Sequence, residues 1–132
     1  MKKFIFISAS LFTLVLFSCK KNSTPQPEAI SFSKPTTASI SSIAGATVNL
    51  QAQLTVTDKI DKLEVFEQFG SNTQTMITSK GFSNSTNTDL YIDTYTVPVG
   101  KPVGTVITLT FVLYQKLLTT EFARKTLTIT VI

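Results

Sequence analysis

Thr47-Val48-Asn49-Leu50-Gln51-Ala52-Gln53-Leu54-Thr55-Val56 alternates polar and apolar side chains without a break. Successive side chains of an extended chain point to opposite faces. Val48, Leu50, Ala52, Leu54 and Val56 therefore share one face, and Thr47, Asn49, Gln51, Gln53 and Thr55 share the other. Period two sustained over this whole stretch predicts a β-strand with one dry and one wet side. On a helix the same apolar residues would be scattered around the circumference.

The pattern recurs outward from this stretch. Ile107, Leu109, Phe111 and Leu113 form a second dry face with Thr108 and Thr110 opposite, and Leu127, Ile129 and Val131 a third against Thr126, Thr128 and Thr130. Weaker segments fill the intervals. Ile30 and Phe32 read as a short first strand broken by Lys34-Pro35, with Ile40 to Ile43 as its possible continuation. Leu63 to Phe69 is a strand apolar on both faces, Thr73 to Thr78 a short edge strand around Met76-Ile77, and Leu90 to Val97 the strand before a corner at Pro98-Val99-Gly100-Lys101-Pro102. Gly81 to Thr88 is a polar loop, and no stretch has a helical apolar face. About seven short strands separated by turn signals predict an all-β, antiparallel β-sandwich over residues 29–132.

The segments Gly45-Ala46-Thr47-Val48-Asn49-Leu50, Gly104-Thr105-Val106-Ile107-Thr108-Leu109-Thr110-Phe111 and Thr126 to Ile132 carry a loose likeness to strands of immunoglobulin-like and fibronectin-type-III-like domains. The chain in this respect resembles the sandwich domains of bacterial surface lipoproteins. Where many such domains place an Asp and a Gly, the turn here is Tyr114-Gln115-Lys116-Leu117-Leu118-Thr119-Thr120-Glu121, without that turn chemistry or a calcium ligand in it. The resemblance implies an immunoglobulin-like fold and leaves function open, because this architecture hosts many unrelated activities.

Ahead of the strands, Lys2 and Lys3 precede the apolar run Phe4 to Phe17, and Leu16-Phe17-Ser18-Cys19 closes it with the only cysteine of the chain. The run is shorter than the roughly 20 residues a helix needs to span a bilayer. A basic start and a short apolar core are the marks of a removable export signal. The segment resembles the signal and lipobox of bacterial lipoproteins, which implies cleavage after residue 18 and a lipidated Cys19 as the first residue of the mature chain. A retained anchor with an incidental cysteine is the competing reading, and the position of the lone cysteine weighs against it. One acyl chain holds a protein only marginally, whereas the two or three chains of a lipoprotein anchor it stably. Residues 19–28 then read as a polar, proline-containing tether. In such lipoproteins an Asp after the cysteine retains the protein at the inner membrane; Lys20 stands there instead, which favours the outer membrane. Some surface-exported lipoproteins of this kind carry acidic residues just after the cysteine, and Lys20-Lys21-Asn22-Ser23 has none, so the resemblance leans towards the periplasmic face.

Without Lys2 and Lys3, the 12 basic residues become 10 against 8 acidic ones, a net of +2. Charge this small and scattered gives no electrostatic footprint for nucleic acid, so no nucleic-acid partner is expected. With Cys19 modified, no cysteine remains for a disulfide, and the domain has to be stabilised by its core.

The chain contains no histidine and only five glycines, none clustered. It lacks the commonest general base and metal ligand, a phosphate-binding glycine loop and the Gly-x-Ser-x-Gly nucleophile turn. No cofactor, no metal and no enzymatic activity are expected. Asp58, Asp61, Glu64 and Glu67 lie close in sequence, but Glu64 and Glu67 fall on opposite strand faces and Lys59 and Lys62 are interleaved, which favours a solvated surface over a metal or glycosidase pair. Asp89 and Asp93 flank Tyr91 with no evident role; a carboxylate-based glycan hydrolase built on them is the remote reading.

Two places are candidate interaction surfaces. Tyr91 and Tyr95 share a strand face at about 13 Å and could stack sugars, although packing in the sheet or core is the stronger expectation. Leu117-Leu118, at a hairpin tip, would leave an apolar patch unless one leucine folds back to cap the core, which is the favoured outcome. Phe66 and Phe69 are expected on opposite faces, one of them covered by the loop at Phe82. The expected function is a membrane-anchored, non-enzymatic binding or assembly module that meets an envelope protein or glycan, with a passive spacer as the alternative.

Overall fold

The computed structural model describes residues 28–83, 86–117 and 120–132. The export signal, Cys19 and the tether up to residue 27 lie outside the described residues, as does Leu118. Among the described residues eight strands follow one another: β1 (Ile30–Lys34), β2 (Ser39–Ser42), β3 (Thr47–Thr55), β4 (Ile60–Phe69), β5 (Thr75–Gly81), β6 (Thr88–Thr96), β7 (Val106–Gln115) and β8 (Glu121–Val131). They form two sheets, β1-β3-β6 and β2-β8-β7-β4-β5, packed as an immunoglobulin-like β-sandwich.

The alternation in β3 is realised as expected: Leu50, Ala52 and Leu54 are buried, while Asn49 on the other face is exposed. Facing them across the interior stand Leu63 and Val65 of β4, Ile107, Leu109, Phe111 and Leu113 of β7, and Leu127, Ile129 and Val131 of β8. Phe111 is the ring at the centre. Phe32 meets it edge-on at 5.0 Å between centroids, and Tyr91 at 6.1 Å, the T-shaped geometry that puts a positive ring edge on a negative face.

Three details depart from the sequence-based expectation. Ser39–Ser42 does not continue β1; it crosses to the other sheet and pairs with β8 in parallel, from Ser39↔Thr128 to Ser42↔Val131, which makes eight strands and one parallel pair at an edge. Pro35 lacks an amide donor, so the chain leaves the first sheet there and re-pairs where Ile40 can still face the core. The edge strand β5 begins later and runs through Gly81, with an irregularity opposite Val65/Phe66. Phe69 packs against the core as an inward residue, whereas Phe66 faces outward between Met76 and Thr110; Phe82 is buried in the core cluster, so the loop serves the interior and is not a lid over the strand.

The sandwich has two distinct ends. Ile30 pairs with Leu54, so the chain arrives at the end formed by the β3–β4, β5–β6 and β7–β8 connections. The opposite end, roughly 30 Å away along β3, is built from residues 43–46, 70–74 and 97–105 together with Ile132. Backbone hydrogen bonds tie it together: Gly45 N–H to Val97 O at 2.8 Å, Val97 N–H to Ala46 O at 2.9 Å, Gly104 N–H to Val131 O at 2.7 Å and Ile132 N–H to Ser42 O at 3.1 Å.

Candidate functional site

Tyr91 and Tyr95 belong to the core face of β6, at 1% and 6% exposure. They are no stacking platform: alternation in β6 sends odd residues inward, and the rings fill the space between the sheets. Each hydroxyl finds a carboxylate. Tyr91 donates to Asp93 Oδ2 at 2.8 Å on its own strand, and Tyr95 donates across the sandwich to Glu67 Oε1 of β4. Burial first, then the hydrogen-bonded carboxylates, pushes both phenols well above their ordinary value of 10.0. These tyrosines bridge and rigidify; they offer no face to a ligand.

Lys80 of β5 points inward beside this cluster, its Nζ 5.5 Å from the centre of the Tyr91 ring and 5.7 Å from that of Phe82. Glu64, on the outer face, pairs with Lys62 at 2.6 Å. Its carboxyl is held below the ordinary value of 4.5 by the hydrogen bond from Lys62, with a further bond from Tyr114, against a smaller opposing cost of burial. Glu64 and Glu67 thus face opposite ways and do not form a pair. Among the described residues no group of acidic side chains is placed to hold a metal ion.

Leu117 is 78% exposed at the tip of the β7–β8 hairpin, so it does not cap the core. It stands at the end where the chain arrives, among charged residues such as Lys59, Lys116 and Glu121.

Sequence reasoning missed the surface at the opposite end. Val99 is 79% and Val103 78% exposed, and Ile43, Val106 and Ile132 are exposed with them. The backbone hydrogen bonds of this end bring these residues, drawn from three separate segments, together. Among the loop residues there, Lys101 is the one charge, and its Nζ sits 3.8 Å from the Phe69 ring centre, a cation–π contact on the flank. The glycines that shape this end have positive φ, 82° at Gly45 and 88° at Gly104, a conformation that side-chain-bearing residues avoid. The only signal in sequence was the Pro- and Gly-rich run Val97 to Thr105, with Lys101 its single charge, which reads equally well as an ordinary corner.

Compared with protein families, curated proteins and solved structures, the chain matches none.

Proposed function

We propose that this protein is an outer-membrane lipoprotein anchored through Cys19, whose sandwich is a non-enzymatic binding or assembly module that meets an envelope protein or glycan on the periplasmic side. The observation that carries this reading is the polarity of the domain along its long axis. The chain arrives at the charged end, and the apolar residues Ile43, Val99, Val103, Val106 and Ile132 are displayed at the other. A tether that leads from a lipid to Ile30 would point the apolar end away from the membrane, where a partner is accessible. Apolar side chains gathered at one end of a domain mark an interaction site more often than scattered ones do.

Site-directed photo-crosslinking in intact cells tests this. A photoreactive residue at Val99 or Val103 is expected to give one common adduct, while the same group at Asn49, on the outer face of β3, gives none. A passive spacer would yield no specific adduct from any of the three positions, and that result would end the binding-module reading.

A further inference from the structure

Of the four edge strands, three are protected by familiar means. β1 has five residues, an irregularity between Phe32 and Lys34 and then Pro35; β2 has four residues; β5 carries an irregularity at Met76–Thr78 and the inward-pointing Lys80. In β6 the one such feature is a pair of charges on the inward side, Asp89 and Asp93. The strand is nine residues long, lacks proline and pairs with β3 in unbroken register from Thr47↔Thr96 to Thr55↔Thr88.

The direction of its free amides follows from that register. Val97 N–H bonds Ala46 O and Val56 N–H bonds Asn87 O, so the odd-numbered residues of β6 exchange hydrogen bonds with β3. Leu90, Ile92 and Thr94 therefore aim their N–H and C=O groups at the open side. There the side chain of Asp89 accepts the Leu90 N–H at 2.7 Å, and that of Asp93 accepts the Thr94 N–H at 2.8 Å. The second oxygen of Asp93 is engaged by Tyr91. Each carboxylate folds back and takes an edge amide that an added strand would need.

We propose that β6 is a latent self-pairing edge and that Asp89 and Asp93 are its guards, keeping a second copy of this chain from adding antiparallel to it. The edge is self-complementary about Ile92. In a two-fold pairing centred there, Ile92 would exchange both backbone bonds with Ile92 of the second copy, and Leu90 would lie opposite Thr94. Of the amides that β6 presents on its open side, those of Thr88, Leu90, Ile92, Thr94 and Thr96, the two that flank Ile92 are the two the carboxylates hold. On the outer face Ile92, 62% exposed, would meet its own counterpart beside Leu90, giving the pairing an apolar component. Two carboxylates from each strand crowded along one seam would also repel. This inference is independent of the lipid anchor and of the apolar end.

The test is the mass of the purified full chain by size-exclusion chromatography with light scattering. The Asp89→Ala/Asp93→Ala variant is expected to double in mass at concentrations where the unaltered chain does not. Adding Ile92→Pro should abolish the doubling, because that amide lies on the open side and its loss leaves the β3 ladder intact. A folded double variant with unchanged mass would overturn the proposal, and so would doubling that survives Ile92→Pro. Amide exchange on the unaltered chain gives a check that needs no variant. The Leu90 and Thr94 amides should exchange roughly fivefold more slowly than that of Ile92 for hydrogen bonds of ordinary strength; equal rates at all three would show that the carboxylates do not guard the edge and overturn the proposal.

Discussion

Tyr95 reaches Glu67 across the sandwich because a buried phenol needs an acceptor and β4 turns one inward between Val65 and Phe69. Glu67 is only half-buried, so water can replace the lost donor, and Tyr95→Phe is expected to cost about 1 kcal/mol in chemical denaturation. Phe111 has no such escape: with Phe32 and Tyr91 against it and no exposure, Phe111→Ala should cost about 3–5 kcal/mol. Glu64 sets a pH dependence whose sign follows from its lowered value. Its pairing with Lys62 and Tyr114 stabilises the fold above 4.5, the ordinary value, and that contribution is lost as pH falls through the lower folded value. The acid side of the stability profile should therefore flatten in Glu64→Gln, measured by denaturation between neutral pH and about pH 3.

At the scale of elements, the connection from β2 to β3 and the one from β6 to β7 are fastened together at Gly45. A Cβ there would meet Val99 Cγ1 at 3.3 Å on a backbone already at φ 82°. Gly45→Ala is expected to lose about 1–2 kcal/mol, most of it from the left-handed backbone. Val99→Asp and Val103→Asp, in the same end but solvent-exposed, should stay within about 0.5 kcal/mol of the unaltered protein. Thermal denaturation separates the two cases, and it makes the valine variants clean probes of partner binding. On the β6 edge, Asp89 and Asp93 each accept the N–H of the residue that follows.

For the whole molecule, alkaline titration reports the integrity of the sandwich. Tyr91 and Tyr95 are raised above 10.0 by burial, so the unfolded chain releases protons more readily than the folded one, and stability must fall as pH rises past 10. The tyrosinate absorbance of these two residues is expected to appear together with loss of the β-sheet signal, not before it. The anchor is tested separately: Cys19→Ser should move the protein from the membrane fraction to the soluble one, and unchanged retention would remove the lipid from the proposed function.

The all-β architecture was legible in residues 47–56, 107–113 and 127–131, because a one-sided sheet imposes period two on its sequence and a buried face tolerates little else. The burial of Tyr91 and Tyr95 was the favoured reading for the same reason, but their partners Asp93 and Glu67 were not foreseeable; one of them comes from the other sheet. Ser39–Ser42 was harder still, since four residues with a single inward isoleucine do not specify which sheet they join. Leu117 stood out because two leucines at a turn are locally conspicuous, and its exposure is a property of that turn. The apolar end gave no comparable signal: Ile43, Val99, Val103, Val106 and Ile132 are each unremarkable where they occur in the chain. Local periodicity thus determined strands and their inward faces, as each residue's orientation depends on its immediate neighbours. Sheet membership, the guarded β6 edge and the apolar end were decided only by tertiary structure, because they depend on which distant segments the backbone hydrogen bonds bring side by side.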